Sequence, residues 1–208
     1  DSQVNQPLGL FFAKAVGINN QAVYAEATAI YEGAIKGFKS PNGVTSSLLP
    51  YTLKASEWDS AFTSGQDNFK FNETTGAVEA GSDGIKEVKL FPDTQNGNGK
   101  GNGGTTPGNF GTVDIGSSYN STADIARQIV SGPNAADFSH LPGGKLELGS
   151  NGTLSLNGDT GISAGVKDEL ADIKGKPRTI PLYTSVSGNG NNSQYTISRF
   201  AGIRVMDV

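Results

Sequence analysis

The sequence predicts an α+β protein, mostly antiparallel β-sheet with a few short helices and long Gly/Asn-rich loops. Of its 208 residues 35% are hydrophobic, only 17% are charged and 29 are glycine, a turn-rich profile rather than that of a helical bundle. Apolar and polar side chains alternate in several short stretches, the period of a strand with one buried face. Between them lie a few segments in which a capping residue is followed by apolar residues four apart, the period of a short helix.

Along the first third, Val23, Ala25, Ala27, Ala29 and Tyr31 alternate with Tyr24, Glu26 and Thr28, so a strand is expected over 21–31 even though alanine favours helix. Ser56 followed by Asp59 resembles a capping box and predicts a short helix through Glu57, Trp58 and Phe62. Trp58, the single tryptophan, is expected as a core anchor on that helix rather than a partner contact. "PNG" at 41–43 and "SDG" at 82–84 mark turns, and 85–91 reads as a strand ended by Pro92.

From Asn96 to Gly111 the chain holds seven glycines and four asparagines, which offer little side-chain area against a large entropic cost of ordering. Lys100 in this run is followed by Gly101, so the phosphate-cradling G-x-x-x-x-G-K-[ST] spacing is absent. Beyond it "TVDIG" at 112–116 predicts a short buried strand, and Ser121 or Thr122 caps a helix with Ile125 and Ile129 on one face and Asp124 in its first turn. Leu146 and Leu148, then Leu154 and Leu156, flank "GSNG" and predict a hairpin. A further helix is expected from Ser163, with Val166, Leu170 and Ile173 on one face and a stop at Gly175 before Pro177. "RTIPLYTSV", "SQYTISRF" and "AGIRVMDV" read as strands, the first two joined across "SGNGNN". The organisation expected is a β-rich part at 1–95 with one short helix, a Gly/Asn-rich loop at 96–111, and an α+β part at 112–208, packed as one domain or two closely joined subdomains.

A net charge of −4 and a pI near 5.0 leave no basic face for a phosphate backbone, so no nucleic acid is expected as a partner. Cysteine is absent, which removes disulfides and zinc–thiolate sites alike. No stretch has the roughly 20 apolar residues that cross a bilayer, and "DSQVNQ" lacks the features of a signal peptide.

Several patterns invite chemistry. "GISAG" at 161–165 has the G-x-S-x-G form of a nucleophile elbow, but the single histidine, His140, precedes Ser163, the reverse of the α/β-hydrolase order; a helix cap is the better role for Ser163. "DTG" at 159–161 has the form of the aspartic-protease triplet, yet no second D-[TS]-G supplies a partner for Asp159. The Asp, Asn and Gly clusters at 72–84, 149–159 and 187–193 offer hard oxygens for calcium, but none forms the D-x-[DN]-x-[DN]-G loop and turn chemistry accounts for them. Sequons at Asn72, Asn120, Asn151 and Asn191 occupy polar turns, and His140 lies in the "FSHLPGG" loop with no second imidazole to share a metal. No catalytic, cofactor-binding or metal-ligating residue is assigned, and no cofactor other than calcium is entertained.

Three phrases in order, "PGNFGTVDIGSSYNSTADIARQI", "LELGSNGTLSLNGDTGISAGVKDELADIKGKPRTIPLYTSV" and "SGNGNNSQYTISRFAGIRVMDV", closely resemble the C-terminal region of bacterial TadG-like proteins, envelope components associated with tight-adherence (Flp) pilus assembly. The resemblance covers about half the chain, from Pro107 onward, and extends weakly over "LPYTLKASEWDSAF" and "DGIKEVKLFPD". Proteins of this group ordinarily begin with a hydrophobic anchoring helix, which implies a membrane tether in the full-length precursor, and they bring no catalytic residues. They usually continue past the position of Val208 with a further short strand, which implies a sheet edge left open or completed by a neighbour. The resemblance therefore implies an exported, non-enzymatic protein of the bacterial periplasm or cell surface. Its expected partners are pilus-machinery or envelope proteins, or copies of itself, with no small-molecule substrate. The alternatives are a self-associating surface-layer or filament subunit and, behind it, a serine or aspartic hydrolase.

Overall fold

The computed structural model describes residues 8–9, 20–21, 35–88, 90, 111–116, 121–158, 166–189 and 192–208. It separates into two compact units, Asp1–Gly33 and Ala34–Val208. In the first, β1 (Leu8–Gly9) and β2 (Asn20–Gln21) pair antiparallel. The strand expected over 21–31 lies outside the described residues apart from Gln21, as does the 96–111 loop apart from Gly111.

The second unit is α+β. Its elements are β3 (Gly37–Phe38), β4 (Leu53–Lys54), α1 (Ala55–Ser64), β5 (Phe69–Asn72), β6 (Ala77–Ala80), α2 (Thr122–Ser131), α3 (Ala135–Ser139), a 3-10 turn (Pro142–Gly144), β7 (Leu146–Glu147), β8 (Leu154–Asn157), α4 (Lys167–Asp172), β9 (Pro177–Ser187) and β10 (Gln194–Arg204). The main sheet has the order β4-β9-β10-β8, with only β4 parallel to its neighbour. β3 pairs with β7, and β5 with β6.

The β9–β10 hairpin is the frame. "SQYTISRF" and "AGIR" form one strand rather than two, carried through a bulge at Ser198, where the register steps from Ile197↔Tyr183 to Arg199↔Leu182. That extra residue reverses which face each side chain meets. Tyr195 and Ile197 therefore pack in one core cluster with Phe138, Leu146, Leu156 and Tyr183, while Ala201 packs in the other with Ile125, Ile129, Val166, Ile173, Ile180 and Leu182. The sheet is thus covered on one face by α1, α2 and α4 and on the other by α3, β7 and the 112–116 segment. Both clusters are apolar side chains removed from water, the dominant stabilising term in such a fold.

Pro181 sits within β9, where its missing N–H should cost a ladder bond. It faces the gap in the parallel pairing between Leu48↔Thr179 and Leu53↔Leu182, and there the Thr52 hydroxyl donates 2.8 Å to the Pro181 carbonyl. The proline falls at a position where no backbone donor is needed.

Several expectations hold. Ser121 caps α2, its hydroxyl accepting the Asp124 amide at 3.2 Å while the Asp124 carboxylate accepts the Ser121 amide at 3.2 Å, a complete capping box. Hydrogen bonding from Ser121 is the first cause holding the Asp124 carboxyl below its ordinary range. Val166 and Ile173 are buried and Leu170 packs against them, and the segment 112–115 is buried throughout, although it makes single bridges at Thr112 and Val113 rather than the strand expected there. Trp58 packs one side against the first cluster and is only half-buried, its other side meeting the exposed Phe62 edge-on at 5.5 Å between centroids.

Other expectations are corrected. The cap of α1 is Lys54, not Ser56, because β4 runs straight into the helix; Asp59 is free to pair with Arg199 at 2.6 Å instead of closing a capping box. The cap of α4 is Val166 rather than Ser163. Among the described residues of 85–91 no ladder forms, only a bridge between Gln66 and Glu87. The Glu87 carboxylate accepts the amides of Asn68 and Phe69, drawing the segment toward β5.

The 146–156 hairpin does not form either. The "GSNG" turn closes, with the Gly149 amide donating 2.8 Å to the Thr153 carbonyl, but the flanking strands part: β7 joins β3 and β8 joins β10. Leu146 and Leu156 are buried in the same cluster from different sheets, so long-range burial overrides the local hairpin signal.

Candidate functional site

In an antiparallel ladder, successive residues turn their N–H and C=O alternately toward and away from the partner strand. The Gly158 amide donates 2.7 Å to the Ser193 carbonyl, which makes 158 and 193 a bonded pair and, by alternation, turns the backbones of Asn157 and Ser155 away from β10. The 112–116 segment covers half of that outer edge. The Asp114 amide donates 2.9 Å to the Asn157 carbonyl, and Val113 bridges Gly158. The segment then bends at Ile115 and Gly116, and among the described residues the outward backbone of the exposed Ser155 has no partner.

Beside this half-open edge lies a shallow depression of about 290 Å³, lined by Asp114, Gly116, His140, Leu141, Ser155, Leu156 and Asn157. Gly116 follows the turn away from the edge, and His140 and Leu141 follow α3. Leu156 forms an apolar floor continuous with the second cluster. Asp114 and Asn157 are held together, the Asn157 amide donating 3.2 Å to Asp114 Oδ2, while Asn157 Oδ1 accepts Gln194 Nε2 at 2.7 Å.

Asp114, His140 and Ser155 share the depression, but they are not linked as a proton relay. The Ser155 hydroxyl donates 2.9 Å to Gln194 Oε1, and Asp114 Oδ2 is engaged by Asn157. What the arrangement offers is a backbone donor and acceptor on an open strand edge, next to an apolar floor and polar walls. Those are the elements by which a sheet accepts an added strand.

Of the candidate site residues singled out from sequence, His140, and Asn157 of the 149–159 cluster, line the depression, and the other described ones do not. Ser163, Asp159, Lys100, Asn120 and Asn191 are outside the described residues. Asn72 organises the β5–β6 turn, its Oδ1 accepting the Thr74 and Thr75 amides and its Nδ2 donating to Glu79, and Asn151 Oδ1 accepts the Thr153 amide. Among the described carboxylates of the calcium-like clusters, Glu79 pairs with Lys70, Glu73 with Arg204, and Asp83 accepts the Ile85 amide. Among the described residues no three His, Cys, Asp or Glu side chains converge, and no helix is long and apolar enough to cross a membrane.

The residue pattern predicts strands over 112–116 and 154–156 but carries no record of their adjacency, which joins residues about forty positions apart. Alternation around Leu154 and Leu156 was the signal that put Ser155 on the opposite face. Compared with known proteins, the chain matches no family model, no curated protein and no solved structure.

Proposed function

We propose that this chain is a non-catalytic, exported protein of a bacterial envelope, working at the periplasmic or cell-surface side, that contributes by interface formation to the assembly, anchoring or structure of a Tad/Flp-type adhesive pilus. The phrase-level resemblance from Pro107 onward supports the pilus context. The observation that carries the interface reading is the half-covered edge of β8, where the outward backbone of Ser155 has no partner among the described residues beside the depression. An extended segment of a pilus-machinery or envelope partner adds to β8 there, continuing the line that the 112–114 segment begins.

A photo-crosslinking side chain at position 155 in intact cells, followed by mass spectrometry of the adducts, tests both parts. Adducts with pilins or secretin-complex proteins are the expected result. Adducts solely between copies of the chain would replace the pilus role with a self-associating surface subunit, and no adduct at all would refute the β8 interface. As a second arm, Ser155→Pro removes the outward N–H without breaking a backbone bond to β10, losing there only the exposed hydroxyl contact to Gln194, because proline is tolerated where an edge N–H faces away from the ladder. It should abolish partner capture while leaving the melting temperature nearly unchanged.

A further inference from the structure

Three Asn–Gly pairs have both residues described: 42–43, 151–152 and 157–158. An asparagine followed by glycine is chemically special, because the glycine amide nitrogen meets no side chain as it approaches the asparagine carboxamide. The fold treats the three pairs very differently.

At Asn157 both partners of such a reaction are held. Nδ2 donates to Asp114 at 3.2 Å, Oδ1 accepts from Gln194 at 2.7 Å, and the Gly158 amide donates 2.7 Å to Ser193 within the β8–β10 ladder. At Asn151 the carboxamide oxygen accepts the Thr153 amide at 3.1 Å, and the Gly152 amide donates 2.9 Å to Gly149. In both places the nucleophilic nitrogen keeps its proton in a hydrogen bond, and the carboxamide is fixed by others.

Asn42 is the contrast. It occupies the second position of a turn closed by the Val44 amide donating 3.1 Å to the Pro41 carbonyl, so the Gly43 amide is not the bonded donor of that turn. Neither the Asn42 side chain nor the Gly43 amide has a hydrogen-bond partner among the described residues. Both residues are exposed, and Gly43, with φ of +79°, has no neighbouring atom within 4 Å of where a Cβ would stand. Nucleophile and electrophile are both accessible to water and free to approach.

We propose that Asn42 is a site of non-enzymatic modification, converting to aspartate and isoaspartate while Asn151 and Asn157 are protected by the fold. The deprotonated Gly43 nitrogen bonds to Asn42 Cγ, and the Cγ–Nδ2 bond breaks with release of ammonia, leaving a five-membered succinimide. Water then opens either imide carbonyl, giving aspartate or, through the other carbonyl, a backbone rerouted through the side chain. No electron is transferred, and the only co-reactant is water. Each product adds a negative charge to a chain whose net charge is −4.

The test is incubation of the folded protein in 18O-labelled water at mildly alkaline pH, followed by position-resolved peptide mass spectrometry. Label should enter at Asn42 first, with conversion at Asn151 and Asn157 slower by roughly tenfold or more, the size expected when two hydrogen bonds must open before ring closure. In denaturant the three sites should convert at similar rates, which isolates the fold as the cause. Equal rates at the three sites in the folded protein, or an Asn42 that stays amidated while Asn151 converts, would overturn the proposal.

Discussion

Asp137 and Arg127 form a two-pronged ion pair, with Nη2 to Oδ1 at 2.7 Å and Nη1 to Oδ2 at 3.1 Å, and the same Asp137 carboxylate accepts the Asn134 amide at 2.8 Å. One side chain therefore completes the capping box of α3 and ties that helix to α2. Asp137→Ala removes both contacts. Cap loss costs about 1 kcal/mol and a well-formed pair adds a fraction more, so chemical denaturation should show a loss of about 1–2 kcal/mol. Asp137→Asn retains part of the cap and should lose less; equal losses would show that charge alone matters.

Gly132 closes α2 with φ of +81°, and a Cβ there would stand 1.7 Å from the Ser46 carbonyl oxygen. The Ser46 amide also donates 2.8 Å to the neighbouring Pro133 carbonyl, so the two segments cannot separate freely. Gly132→Ala combines a left-handed backbone with a backbone collision and should destabilise by about 2 kcal/mol or more in a thermal or denaturant melt. A neutral result would mean that the 46–48 segment moves without cost.

Leu182 and Phe62 form a paired comparison. Leu182 is fully buried at the centre of the sheet, whereas Phe62 is 66% exposed on the outer side of α1. Leu182→Ala should cost about 2–5 kcal/mol through lost burial and the cavity it leaves. Phe62→Ala removes only the edge contact with Trp58 and should cost less than about 1 kcal/mol. If Phe62→Ala were as damaging as Leu182→Ala, the exposed side of α1 would be structural rather than free surface.

Alkaline pH should unfold the second unit through its buried tyrosines. Burial pushes Tyr195 up to about 12 and raises Tyr51 and Tyr183 as well, with Glu169 adding to the effect at Tyr51, and Tyr195 then Glu57 at Tyr183. A raised folded value means that the folded state keeps these protons when the unfolded chain gives them up. The stabilisation is therefore complete below about pH 10, the ordinary tyrosine range, and is lost as pH rises toward and through 12. Tyrosinate absorbance followed together with near-ultraviolet circular dichroism should show these tyrosines ionising as tertiary structure disappears. Their ionisation near pH 10 with the fold intact would contradict this.

The elements whose signals are local are legible in the residues alone. The cap at Ser121 with Asp124 in the first turn, the apolar stripe of Val166, Leu170 and Ile173, and the strand character of 178–186 and 193–200 report interactions within a few residues of one another. Such patterns survive without knowledge of the rest of the chain. Long-range packing set the rest. It parted the strands around "GSNG" because β8 buries Leu156 against Tyr195 and β7 buries Leu146 beside Phe38; it moved the cap of α1 to Lys54 because β4 feeds the helix directly, and it set "TVDIG" against β8 so that Ser155 faces an open edge. Strand pairing is a competition among distant partners for burial and register, and one stretch of alternating residues carries no record of which partner wins.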